Sequence, residues 1–259
     1  MKTTIQNAEH YTWGNNCDAW HLLKSETLNV IRERMPSGTA EQLHCHLKAQ
    51  QVFYILSGTA TFDINGETEL VNTNESIHVP PRILHKISND YVEDLSFIII
   101  SEPNAHGDRV EIVEYSEELK SNIKVLNEEW LNKYFEVEPN DTIQLSDPKG
   151  EIINKGGVIF YARYNNNIVG TASLLKISNE YYELGKMAVT ESAQGIGIGN
   201  ILMDHTMHLV KKLGVKQLVL YSNTGLAPAL NLYRKYGFAE VSMEPNNYKR
   251  ANIKMQKTL

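Results

Sequence analysis

Cysteine is scarce: Cys17 and Cys45 are the only two in 259 residues. That excludes a disulfide scaffold and suits a reducing compartment. No apolar run approaches the roughly 20 residues that span a bilayer. The N-terminal stretch from Met1 to Asn7 lacks the apolar core of a secretory signal. A cytoplasmic protein with no membrane partner is therefore expected. A strong basic excess is also missing. Residues 1–108 hold 7 Lys+Arg against 14 Asp+Glu, a net −7, and residues 109–259 come to +1, giving −6 in all. Neither half resembles a nucleic-acid binder in charge. Repeats and low-complexity tracts are absent too. What is present, 42% hydrophobic and 22% charged residues, suits a globular chain of one or two domains.

From Leu28 to about Ile100 the chain reads as short β runs: Leu28 to Arg34, Gln51 to Leu56, Thr59 to Ile64, Glu75 to Val79 and Leu95 to Ile100. Turn residues separate them, among them Asn65-Gly66, a strong hairpin signal. Many short strands without a helical stretch predict a small antiparallel barrel or jelly roll. His44 and His46 are two apart, so a strand sends both to one face, and His85 falls on a later strand. The spacing of Gly38, His44, His46, Gln51 and Gly58, followed by Pro80, Arg82, His85 and Asn89, resembles the two motifs of the cupins. The departures are Gln51, where the family usually has a metal-binding Glu, and Arg82, where it has a glycine. The resemblance implies a double-stranded β-helix with a divalent metal (Zn, Ni, Mn or Fe) held by His44, His46, His85 and, as a neutral ligand, Gln51. A relic pocket whose histidines bond each other or water is the alternative. His10, His21, His78 and His106 read as ordinary surface or core residues.

The polar stretch 101–109, with Pro103 and Gly107, is the best boundary. The expected domains are 1–106 and 107–259.

Beyond it, Val110 to Tyr115 reads as a strand. Ile123, Leu126, Trp130, Leu131, Tyr134 and Phe135 recur at helical spacing. Strands follow at Val158 to Tyr164, Ile168 to Ile177 and Tyr181 to Val189. Then come a helix from Ile198 to Leu213, a strand from Val215 to Tyr221, a helix from Ala227 to Tyr236, and closing strands at Phe238 to Ser242 and Ile253 to Met255. This order predicts a mixed sheet with helices on its faces. Gln194, Gly195, Gly197 and Gly199 stand between a strand and a helix. Glycines there let backbone N–H groups approach a ligand, and a helix start favours an anion, so the turn is suited to a phosphate.

Gln194-x-x-Gly197-x-Gly199 resembles the pyrophosphate loop of the GNAT acyltransferase superfamily, over roughly the last 150 residues. Leu232 to Phe238 is similar to the family's second signature. The resemblance implies an α/β (α+β) fold with a mixed, mostly antiparallel sheet, and acetyl-CoA as cosubstrate. It places acetyl-CoA against Met187, Ala188, Val189, Gln194, Gly195, Ile196, Gly197, Ile198, Gly199, Asn223 and Tyr233. Aminolysis of a thioester needs a base for the amine and an acid for the thiolate. Glu183 suits the first role and Tyr233 the second, while N–H groups near Met187 would polarise the carbonyl. Each also has a plain structural reading, Glu183 as a solvated strand residue and Tyr233 as helix packing. Glu138, Asp141 and Asp147 fall in a stretch read as a loop, where they would either attract a cationic acceptor or simply be solvated.

The expected activity is acetyl-CoA-dependent N-acetylation of an amine on a small molecule or peptide, with a cupin domain that holds a metal, a small ligand, or both. The alternatives are a metal-dependent cupin isomerase or dioxygenase, and a metabolite sensor, in which the C-terminal half mainly binds CoA. A homodimer is compatible with either.

Overall fold

In a computed structural model, residues 2–105, 107–244 and 248–259 are described. His106, assigned above to the surface or core, lies outside the described residues. The chain divides into two compact units, Met1–Glu111 and Ile112–Leu259.

The first unit is built from β1 (Glu9–Trp13), β2 (Cys17–Lys24), β3 (Asn29–Met35), β4 (His44–His46), β5 (Gln50–Ser57), β6 (Thr59–Ile64), β7 (Glu67–Asn72), β8 (Ser76–Val79), β9 (His85–Ser88) and β10 (Leu95–Glu102). A further strand, β11 (Arg109–Glu114), begins within it. One sheet runs β1-β2-β3-β10-β5-β8, and the other orders β11-β4-β9-β6-β7. Period-2 patterning decides what faces inward. On β5, Gln51, Phe53 and Ile55 are buried while Gln50, Tyr54 and Ser57 are exposed. Phe53, Ile55, Phe97 and Ile99 of one sheet meet Ala60, Phe62, Val71 and Ile87 of the other in a single core. Each large side chain buried there stabilises the fold by about 1.5–3 kcal/mol. Asn65 (φ 51°) and Gly66 (φ 79°) both adopt positive φ, the turn that an Asn-Gly hairpin requires. Strands β1 and β7 are mostly exposed and carry few apolar residues, so hydropathy does not reveal them.

The second unit contains α1 (Lys120–Tyr134), α2 (Pro139–Ser146), β12 (Val158–Tyr164), β13 (Asn167–Lys176), β14 (Tyr181–Val189), α3 (Ile198–Lys212), β15 (Gln217–Ser222), α4 (Ala227–Lys235), β16 (Ala239–Val241) and β17 (Ile253–Thr258). Its sheet runs β12-β13-β14-β15-β17-β16, with β14–β15 parallel and the other pairs antiparallel. Alternate residues of β12 serve opposite faces. Ile159 and Tyr161 pack with Ile123 and Leu131 of α1 and Leu145 of α2, whereas Phe160 meets His205 of α3 edge to face at 4.6 Å.

The stretch read as a loop after α1 is helical. Pro139 takes the first position of α2, and Glu138 caps it in a reciprocal box with Asp141. Proline's missing N–H costs nothing at a helix start, and its fixed φ favours the helix.

Candidate functional sites

In the first unit, β4 alternates His44, Cys45, His46, so both imidazoles share a face. His85 of β9 pairs directly with His44 across the ladder. Their ring centroids lie 4.3 Å apart, with His46 5.1 Å from His44 and 6.0 Å from His85. All three residues are buried, and one nitrogen from each falls within 4.8 Å of the others. Each Nδ1 is tied outward. That of His44 donates to Gln42 O at 2.9 Å, that of His85 to Ile83 O at 2.9 Å, and that of His46 to Asp108 Oδ1 at 2.7 Å. The three Nε2 lone pairs are thereby left to converge, the tautomer that metal-ligating histidines adopt. Burial pushes His85 down to about 4 and His44 well below the usual imidazole range, so both rings are neutral at pH 7. Asp108 is partly buried, which opposes ionisation. The hydrogen bonds it accepts from His46, Ala49 N and Lys48 N together outweigh this and hold it below its usual range.

Gln51 completes the set. Its Oε1 lies 3.0 Å from His85 Nε2, and its Nε2 donates to Ser101 Oγ at 3.2 Å. With His85 Nδ1 already donating, Nε2 and Oε1 face each other as two acceptors. A divalent cation between them satisfies both, as does rotation of the amide. The donor set, three imidazoles and one amide oxygen, fits a divalent metal of the zinc or first-row transition type.

Several buried groups nearby are not visible as site residues in the sequence. Glu33 is a buried carboxylate and Glu41 a partly buried one; the Oε2 of each lacks a hydrogen-bond partner, and that of Glu41 lies 3.9 Å from His44 Nδ1. Arg109 of β11 pairs in register with His46, and Glu111 with His44. Glu33 had one signal: it occupies an inward position, two before the core residue Met35.

In the second unit the site centres on β14. Its register to β13 shifts between Thr171 and Ser173, so Lys186 and Met187 together oppose Ala172 as a bulge. Lys186 adopts φ 49°, a conformation that costs a non-glycine residue about 1–3 kcal/mol. Its carbonyl accepts from Asn127 Nδ2 at 3.3 Å. Its ammonium is buried and pairs with Asp141 Oδ1 at 2.9 Å, and Arg250 grips the same carboxylate at 2.5 and 3.0 Å. Burial lowers the Lys186 ammonium pKa against the pull of Asp141.

Strand β15 pairs with β14 only over Tyr181–Glu183. Beyond that point Gly185 to Val189, which include Met187, Ala188 and Val189, keep β13 on one side and have no strand on the other among the described residues. The chain then enters the glycine turn. Gly195 (φ 80°) and Gly197 (φ 105°) hold left-handed backbone, and Gly197 caps α3. The space over Gly195 is open. Among the described residues, the N–H groups of Gly195, Ile196, Gly197, Ile198 and Gly199 meet no protein acceptor. Gln194 Nε2 donates to Val189 O at 3.1 Å, closing the turn onto the strand.

Glu183 is partly buried, and desolvation raises its carboxyl above the ordinary range. The Tyr248 hydroxyl opposes that by donating to Oε1 at 3.1 Å, as does the charge of Lys186. Tyr233 stands near the end of α4, with Phe238 6.1 Å away, and burial raises its phenol to about 12. It is protonated at neutral pH and able to donate. Asn223 is committed to its own loop: Nδ2 donates to Arg250 O at 2.7 Å, and Oδ1 accepts from Gly225 N at 2.8 Å. Glu138 accepts from Lys249 N and Arg250 N, Asp141 is neutralised by Lys186 and Arg250, and Asp147 accepts from Gly150 N. These three carboxylates therefore organise the loop rather than offer a free anionic surface.

Comparison with known proteins supports both halves. The family model for the cupin domain matches residues 31–101, and that for the acetyltransferase (GNAT) family matches residues 123–238. An uncharacterised protein of Methanocaldococcus jannaschii, MJ1618, is 30% identical over 94 residues, which are 36% of this chain and 75% of that one. Two solved structures share the fold of the C-terminal half. A GNAT-family acetyltransferase from Staphylococcus aureus Mu50 is 22% identical, with 57% of this chain and 98% of that one covered and a TM-score of 0.54. An acetyltransferase from Streptococcus agalactiae 2603 is 19% identical, with 60% and 99% covered and a TM-score of 0.53.

Proposed function

Because the chain joins a cupin domain to a domain of the GNAT acetyltransferase family, we propose that it transfers the acetyl group of acetyl-CoA to an amine. One observation carries the reading: a bulged strand with an open edge runs into a helix whose first N–H groups are unsatisfied. The edge of Met187, Ala188 and Val189 suits the amide-bearing pantetheine arm. The turn from Gln194 to Gly199 suits the pyrophosphate, which would accept from those N–H groups at the positive end of α3. Asn223 holds the β15–α4 loop in shape rather than reaching the arm itself.

Glu183 takes the proton of the ammonium, directly or through a water, at a carboxyl that burial makes a stronger base than an ordinary glutamate. The freed nitrogen forms the new C–N bond at the thioester carbonyl, whose oxygen a backbone N–H near Met187 stabilises. As the C–S bond breaks, Tyr233 gives its proton to the leaving thiolate, and the nitrogen's surplus proton passes through solvent to restore the phenol and leave a neutral amide.

His44, His46, His85 and Gln51 would hold a divalent metal in the cupin unit, which would polarise a bound oxygen or nitrogen ligand. Both cysteines are free and buried, in keeping with a reducing, cytoplasmic setting. Among the described residues no helix is long and apolar enough to cross a membrane.

Thiol release from acetyl-CoA, followed across a panel of primary amines, tests the activity. Release that requires an amine and falls at least ~100-fold in Glu183→Gln supports it. Release independent of both would contradict it.

A further inference from the structure

Glu183 shares its face of the sheet with side chains that the acetyl-transfer steps do not use. On β14, Tyr181 stands two residues before it. On β15, Val219 pairs in register with Glu183, and Tyr221 lies two residues further along the same face. On β17, Lys254 pairs directly with Tyr221, so it too projects from that face. The contacts agree. Tyr248 donates to Glu183 Oε1 at 3.1 Å, its ring lies 6.0 Å from that of Tyr221, and Lys254 Nζ stands 5.9 Å from the centre of the Tyr221 ring. Tyr181, Glu183 and Tyr221 each keep part of their surface open.

Lys254 is the unexplained member. It is 8% exposed, yet among the described residues its ammonium makes no hydrogen bond or ion pair and rests over the Tyr221 ring alone. Lysine is rarely buried this far without a partner, and a ring face offsets only part of what the ammonium loses in leaving water. Two carboxylates stand near without pairing to it. Glu183 accepts from Tyr248 instead, and the exposed Glu244 acts on Tyr181 and Tyr221. Among the described residues, neither Lys254 Nζ nor Glu183 Oε2 is a sealed atom without a partner, so water or a ligand can reach both. The other cations that face Tyr248, Lys186 and Arg250, are both committed to Asp141.

An ammonium and a carboxylate are thus held apart on one partly open face, with three phenol rings around them. Their Cα atoms are roughly 12 Å apart, at about 3.3 Å per residue and 4.8 Å per strand. A ligand that meets both needs a cation at one end and an anion at the other. One uncommitted ammonium matches one carboxylate rather than a phosphate dianion. We propose that Lys254 selects the acceptor: the amine that this protein acetylates belongs to an amino carboxylic acid. The acceptor's carboxylate pairs with Lys254 Nζ, its amine reaches Glu183, and its carbon frame lies against Tyr181, Tyr221 and Tyr248. The assignment rests on the reading of the C-terminal unit as an acetyltransferase with Glu183 as base. Acetylation removes the positive end of the acceptor, so the product loses its hold on Glu183 and is released.

Steady-state acetyl transfer by the full chain tests this on two matched pairs, phenylalanine with 2-phenylethylamine and 4-aminobutanoate with butylamine. In the wild type at least one amino acid should be used with kcat/KM at least ~10-fold above that of its partner, as a hydrogen bond between charged groups allows. In Lys254→Met that preference should fall at least ~10-fold, through KM, and Lys254→Arg should restore it in part. Removing a buried charge that has no partner should leave the chain folded, and circular dichroism checks it. No preference in either pair, or a preference that survives Lys254→Met, overturns the inference. If no amine of a wider panel is acetylated, the acetyltransferase reading fails instead, and calorimetric titration with the same four compounds decides the site. Amino-acid binding that is lost in Lys254→Met retains it; binding that is absent, or unchanged in that variant, overturns it.

Discussion

Burial makes the Glu183 carboxyl keep its proton to a higher pH than an ordinary glutamate, and the Tyr248 hydroxyl works against that. The acting base is the deprotonated form, so kcat/KM should rise with pH through a value above the usual carboxylate range. Tyr248→Phe removes the opposing hydrogen bond, so its acidic limb should move to higher pH while the ring stays over Lys186 and Arg250. A pH–rate profile with an unmoved limb would separate Tyr248 from the base. At Tyr233, Phe should lower kcat with little change in acetyl-CoA affinity, since the hydroxyl acts on charge that develops only as the thiolate leaves. The residues legible in the sequence were those fixed by short spacings: the His44–His46 pair and the glycine turn. Tyr248 lies 65 residues from Glu183, and Asp108 lies 62 from His46. No local pattern joins such partners; only the folded sheets do.

Among the elements, β14 and α2 are coupled through Asp141. The carboxylate is fully buried between Lys186 of the bulge and Arg250. Asp141→Asn would leave two buried cations short of a counter-charge and should cost about 3–5 kcal/mol, measured by urea unfolding. Burial opposes the charge of Asp141, but Arg250 and Lys186 prevail and depress its pKa. A carboxyl with a depressed folded pKa contributes stability above its unfolded pKa and loses it as pH falls through the folded one. The wild-type unit should therefore weaken with acid from about pH 4 downward, and the Asn variant should show a shallower dependence. The strands and helices of this unit follow from periodicity. The bulge does not, because it is a register shift between strands rather than a composition. The helix α2 was foreshadowed by Glu138-Pro139 and Asp141, a capping pattern that a reading in terms of acceptor charge passes over.

For the molecule as a whole, two units with separate cores should respond separately to their ligands. A divalent metal should raise one thermal transition and acetyl-CoA the other. His46→Ala should abolish the metal response and retain the acetyl-CoA response. Gln51→Glu should tighten metal binding by supplying an anionic ligand. Elemental analysis after matched metal loading reads both, and equal, near-zero metal in wild type and His46→Ala would refute the metal centre. The two-part architecture was readable because the patterns of the halves differ so sharply, short alternating strands before residue 100 and helical periodicity after it. The division within β11 was less so, since that strand begins in one unit and ends in the next. The central claim, that the glycine turn at the start of α3 holds the pyrophosphate of acetyl-CoA, is tested most directly by calorimetric titration of the wild type, Gly197→Glu and Gly199→Asp with acetyl-CoA. Gly199 has ordinary backbone, so its variant avoids the backbone strain that a side chain at Gly197 (φ 105°) brings and meets only the end of the Leu232 side chain, at 3.3 Å. Saturable wild-type binding, weakened about 100-fold or more in both folded variants, or roughly 3 kcal/mol, is the predicted result. Undiminished affinity in both would contradict it.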